Sequence, residues 1–151
     1  MLIIFIDMIS LKELLIESKE EWKEPTFEAE ESDFEMLADQ LDISLDKIKE
    51  AFDEGELKRL MPSVWDKLKN CDCKKANSFK DIVDLSQKLQ KKNPDYKSNW
   101  KQFKKDFKNN KPVKAPIVMK YGDDYYLVAG NTRLMVAKLM DVSPAIYLFV
   151  Y

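Results

Sequence analysis

The chain has 151 residues, 45% of them hydrophobic and 34% charged, with a formal net charge of −2. That balance excludes a disordered chain and describes one domain, or one small domain with an extension, long enough to bury a core. With no His and only Cys71 and Cys73, a tetrahedral zinc site within the chain is excluded as well. The charge is unevenly spread: residues 1–60 hold 18 acidic and 7 basic side chains, whereas residues 61–151 hold 9 and 18. Such asymmetry suits either nucleic-acid binding by the second part or an acidic first part that covers a basic surface.

In chain order, Met1 to Ile6 (MLIIFI) is too short for a membrane span and lacks the basic start of a signal peptide. It reads as a strand, with Met8 as an alternative start. Ile9 to Leu15 continues as a short amphipathic segment. Glu17 to Glu31, acidic and interrupted by Pro25, reads as a solvated linker. Carboxylates such as Glu13 and Glu17 are surface charge on the plain reading, and a metal ligand or base beside Arg133 on the functional one. Ser32 to Glu35 has capping-box spacing and opens a helix through Leu41; Ser44 caps a second one that Gly55 ends. The pair has helix-turn-helix spacing, but Asp46, Glu50, Asp53 and Glu54 make a poor face for phosphates, so a helical hairpin packed on the domain is expected. Leu57, Leu60, Val64, Trp65 and Leu68 suggest short helices broken at Met61-Pro62. Cys71 and Cys73, in a loop-like stretch from Asn70 to Asn77, read as incidental thiols in a reducing cytosol.

Ser78 caps a helix carrying Ile82, Leu85 and Leu89 on one face, closed at Asn93-Pro94. Beyond it, Tyr96, Trp100, Phe103 and Phe107 form one helical stripe, and Lys97, Lys101, Lys104 and Lys108 form a parallel one about 100° around the helix. Ten lysines stand between Lys88 and Lys114 against Asp95 and Asp106. The stripe is either a solvated face or a surface for a nucleic-acid backbone, anchored by its aromatics.

After the connector Asn109 to Pro112, Ile117-Val118-Met119 and Tyr125-Tyr126-Leu127-Val128 flank turn residues and predict a β-hairpin. Gly130 breaks the second strand, Asn131 or Thr132 can cap a helix, and Leu134 to Met140 is mostly apolar. A helix start offers unpaired N–H groups and the positive end of a dipole, Gly130 admits close approach, and Arg133 has a donor fork suited to phosphate. Asp141 stands where a Gly commonly ends the helix. Ala145 to Tyr151 is a continuous apolar run that fits a buried strand.

This last third, with Pro-Ile-Val, a turn, Tyr-Tyr-Leu-Val and Gly-Asn-Thr-Arg-Leu-Met-Val-Ala-Lys-Leu, resembles the ParB/sulfiredoxin superfamily, whose members share a strand, a Gly-x-x-Arg turn and a helix. The resemblance implies an α+β fold: a small mixed sheet of opening strand, hairpin and closing strand in a single domain over 1–151. Residues 32–107 would be a mainly helical insertion, and 108–151 the hairpin, turn, helix and final strand. It further implies that Gly130, Asn131, Thr132 and Arg133 bind nucleotide or nucleic-acid phosphate, with CTP or ATP and Mg²⁺ as the candidate ligands and no metal site of the chain's own. Sulfiredoxins carry a Cys where this chain has Asn131 and a His where it has Thr132, so their chemistry is not expected. The absence of a second basic or imidazole group before Arg133 weakens a claim of phosphoryl transfer or phosphodiester cleavage. The expected function is a cytoplasmic, DNA-associated phosphate-binding protein. The alternatives are an enzyme of phosphate chemistry (nuclease, NTPase or small-molecule kinase) and a non-catalytic protein-interaction module of phage type; no membrane partner is expected.

Overall fold

A computed structural model describes residues 22–95 and 99–151. The expected opening strand, the amphipathic segment after it, Glu13, Glu17, Tyr96 and Lys97 lie outside the described residues.

The fold is mixed α and β, built on a five-stranded sheet in the order β2 (Glu56–Arg59), β7 (Ala145–Val150), β5 (Ile117–Tyr121), β6 (Asp124–Ala129) and β3 (Leu68–Lys69). The closing run forms β7 (Ala145–Val150), which lies parallel to β5 (Ile117–Tyr121) and antiparallel to β2 (Glu56–Arg59). Its near-continuous apolar sequence follows from this central place, since both faces of the strand are covered. The hairpin is as expected: β5 turns through Gly122, at φ 61°, and Asp123 into β6 (Asp124–Ala129). A left-handed φ at the first turn residue suits the twist of a two-residue hairpin. The short β3 (Leu68–Lys69) closes the far edge, parallel to β6.

Alternation along the strands sends side chains into two cores. Ile117, Met119, Tyr147 and Phe149 face a cluster with Phe27, Phe34, Ile48 and Phe52. Phe34 comes from α1 (Glu31–Leu41), Ile48 and Phe52 from α2 (Leu45–Asp53) and Phe27 from the segment before them, so the pair expected as a packed helical hairpin is one. On the other face Val118, Leu127 and Ile146 meet Ile82, Phe107, Leu134 and Val136. This second helical layer comprises α3 (Pro62–Lys67), α4 (Phe79–Lys92), α5 (Trp100–Lys108) and α6 (Asn131–Leu139). The sheet is thus sandwiched between an α1–α2 layer and an α3–α6 layer.

Local signals explain most boundaries. Ser44 accepts from the Lys47 N–H, and Ser78 and Asp81 form a reciprocal capping box that starts α4. Asp141 takes a left-handed φ of 55° just past α6, as its place at the helix end requires. α1, however, begins at Glu31 after a 3-10 turn over Glu28–Glu30, which leaves Ser32 inside the helix rather than capping it.

Two expectations are corrected. Part of the supposed acidic linker is structural: Trp22–Lys23 form β1, parallel to β4 (Val113–Lys114), with Trp22 packed on Phe107 at 5.1 Å and Pro25 and Phe27 buried. Intervening carboxylates mask these isolated aromatics in the sequence. Leu57 lies in strand β2, not a helix, because pairing with β7 decides a segment too short to show a period. The segment 32–107, expected as a mainly helical insertion, also supplies both edge strands, β2 and β3.

Gly55 marks the joint between α2 and β2. A Cβ there would lie 2.5 Å from the Tyr147 ring, whose hydroxyl donates to the Phe52 carbonyl. Gly55→Ala is expected to lower stability by about 1–3 kcal/mol, the usual cost of overpacking, read from denaturant midpoints at constant slope.

Candidate functional site

The strand-turn-helix corner forms where the sequence places it, with a different local chemistry. Gly130, at φ 103°, is itself the N-cap of α6, and neither Asn131 nor Thr132 caps it with a side chain. A Cβ on Gly130 would sit 2.8 Å from Pro116, so the glycine permits the two strand ends to close on each other. Asn131, the first helical residue, turns back to the 70–77 loop: its Oδ1 accepts from the Asp72 N–H at 2.8 Å and its Nδ2 donates to the Asn70 carbonyl at 3.3 Å. Further along α6, the Lys138 ammonium donates to the carbonyls of Cys73 and Ala76. The helix thereby pins this loop at both ends. Cys71 and Cys73, expected as free thiols, are joined within it as a disulfide, their Cα atoms 5.4 Å apart and within bridging reach.

Arg133 is 8% exposed and is the one buried charged side chain among the described residues. Its Nη1 donates to the Lys114 carbonyl at 2.7 Å and more weakly to that of Ala115 at 3.4 Å, while Nη2 faces Glu30 Oε1 at 3.4 Å. The Phe103 ring of α5 lies 6.0 Å from the guanidinium. An arginine expected to present an open fork to phosphate is instead engaged by its own chain, because a buried guanidinium must find acceptors. Among the described residues the acid that pairs with it is Glu30. Sequence reasoning missed Glu30 because one glutamate in an acidic run carries no mark of burial.

Asp33, one turn further along α1, completes the cluster. Burial first, then the charge and hydrogen bond of Glu30, push its pKa up to about 6 from 3.8, and Arg133 only partly opposes them. Burial lowers the Arg133 pKa, against the pull of Glu30 and Asp33. Next to the corner is a cavity of about 500 Å³, walled by Asp33, Gln40, Asn70, Asp72, Lys75 and Asn131. Two carboxylates against one lysine, itself paired with Asp72 at 3.1 Å, make it a poor receptacle for an anion.

The lysine face is a second candidate site. α5 buries Phe107 and half-buries Trp100 and Phe103, as the aromatic stripe predicts. Lys101 and Lys108 are exposed; Lys104 is not, since its ammonium lies over the Phe79 ring at 4.2 Å. Lys105, which the stripe reading passed over, is exposed one turn from Lys101. On α4, Lys88, Lys91 and Lys92 are exposed too. The ion pairs among the described residues involve Lys49, Lys58, Lys69, Lys75 and Arg133, and none uses a lysine of α4 or α5. Phe79 stacks on Trp100 at 5.7 Å, which ties the start of α4 to the start of α5.

No protein-family model matches the chain, and no curated protein or solved structure matches it. No helix among the described residues is long and apolar enough to cross a membrane.

Two outcomes follow from the buried cluster. Arg133→Ala leaves Glu30 without its partner and is expected to cost about 3–5 kcal/mol of stability in a denaturant titration. Asp33 holds a proton in the folded state that the unfolded chain releases at lower pH. Its contribution to stability is therefore expected to be complete below about pH 4, to be lost as the pH rises to about 6, and to level off above that. Asp33→Asn should flatten that profile, as thermal melts across the range would show.

Proposed function

We propose that this chain is a nucleic-acid-associated binding protein that holds a phosphate backbone on the exposed lysines of α4 and α5. The observation that carries this reading is the absence of ion pairs on that surface among the described residues. Elsewhere Lys49, Lys58, Lys69 and Lys75 each meet a carboxylate, Lys69 with Asp124 at 3.0 Å. Lys101, Lys105 and Lys108 on α5 and Lys88, Lys91 and Lys92 on α4 are exposed and have no such pair among the described residues. Exposed ammonium groups on anchored helices gain counterion-release free energy when they meet a polyanion. Phosphate contacts of this kind fix position without reading sequence, so the binding is of low sequence preference.

The ParB-like reading would put phosphate at Gly130 to Arg133. That site requires Glu30 to vacate the guanidinium and an anion to approach the Asp33 carboxyl, so the lysine face is the better supported of the two. Binding, rather than turnover, is the activity assigned.

Titration of a short fluorescent duplex at several salt concentrations tests the reading. Affinity is expected to fall steeply with salt, and Lys101→Glu with Lys105→Glu should reduce the slope of log K against log salt by about 2. Affinity indifferent to salt and to both substitutions would contradict it.

A further inference from the structure

The two helical layers differ in charge as well as position. On α1 and α2 the side chains of Glu31, Glu35, Asp39, Asp46, Glu50 and Asp53 are all exposed. Their surroundings supply little neutralisation. Lys47 and Lys49 are the lysines of these two helices, and the one ion pair found there among the described residues, Lys49 with Glu28, spans 4.0 Å between side chains more than half exposed. Such a pair contributes little. On the far side of the sheet, α4 and α5 carry exposed lysines with no ion pair among the described residues. One molecule therefore bears an acidic helix pair and a basic helix pair on opposite faces, while its net charge is only −2 and general repulsion between copies is weak.

We propose that the acidic α1–α2 face docks on the lysine-bearing α4–α5 face of a second copy of this chain. Charge complementarity selects the partner, since each molecule presents both halves of the contact. Because the two faces lie on opposite sides of the sheet, the same pairing cannot satisfy both at once within a two-fold dimer. The contact is head-to-tail and leaves one acidic and one basic face free at the ends of each assembly. The patches are small: α1 has 11 residues and α2 has 9, so their helical lengths are about 16 and 14 Å. A contact of this size between exposed charges is transient and sensitive to salt.

The proposal does not depend on nucleic-acid binding, although both would use the same lysines and would compete for them. Sedimentation velocity of the full chain at about 100 µM, in about 20 mM and about 300 mM salt, tests it. Two double variants are needed: Lys101→Glu with Lys105→Glu, and Glu35→Lys with Asp39→Lys. All four positions are exposed on helices, and circular dichroism checks that both variants fold. Wild type is expected to sediment at low salt with an average mass about twofold above the 17.7 kDa monomer, and as monomer at high salt. Each variant alone should stay monomeric at low salt, whereas an equimolar mixture of the two should associate again. A monomeric wild type at low salt, a variant that associates by itself as wild type does, or a mixture that stays monomeric would each overturn the proposal. The Glu35→Lys, Asp39→Lys variant keeps its lysine face, so it separates the two readings: it should lose self-association yet still bind the duplex.

Discussion

A buried guanidinium sets the arrangement of the whole corner. Arg133 belongs to the α3–α6 layer, yet its donors reach the carbonyls that lead into β5 and the Glu30 carboxylate at the foot of the α1–α2 layer. The cost of taking that charge out of water is met only if all of these acceptors are in place together. Position follows from this requirement. α6 must start close against Pro116, which only a glycine at 130 allows, and Asn131 then faces the 70–77 loop that it holds. The residues that look most like ligand donors in the sequence thus join two layers, a strand end and a loop.

The same constraint shows what the sequence could and could not disclose. Hairpin, helix and final strand were legible because each is written in adjacent residues: turn chemistry at Gly122-Asp123, a break at Gly130, an apolar run from Ala145. The aromatic stripe through Trp100, Phe103 and Phe107 was legible for a similar reason, since helical periodicity is local. Illegible were the features that depend on distant partners. β2 becomes a strand through β7, some ninety residues on, and Trp22 is buried by Phe107. Glu30 matters only because Arg133, 103 residues away, arrives beside it. Side-chain chemistry identified Arg133 as unusual, but the sequence does not say whether its partner is a ligand or the chain itself.

Charge tells a complementary story. The exposed carboxylates of α1 and α2 and the exposed lysines of α4 and α5 lie on helical layers on opposite sides of the sheet. Within the described residues the two kinds of charge meet at few points, Arg133 with Glu30 being one. Most of the remaining carboxylates of α1 and α2 and the lysines of α4 and α5 point into solvent, available to something outside the fold. A polyanion on the lysines and a second copy across the two faces are the uses proposed for them, and both draw on long-range attraction rather than shape. The aromatic underside of α5 makes this economical, because Phe107 and Phe103 fix the helix while its outer face is free to carry charge.

The central claim is that phosphate meets the lysine face while the Gly130 to Arg133 corner stays internal. Nitrogen-15 spectra of the chain, followed through titration with unlabelled duplex DNA, test this most directly. The account predicts that amide shifts concentrate between Lys101 and Lys108 and around Lys88 to Lys92, with the side-chain signal of Arg133 unmoved. Shifts centred on Gly130 to Arg133 and Glu30, with the α5 amides silent, would contradict it.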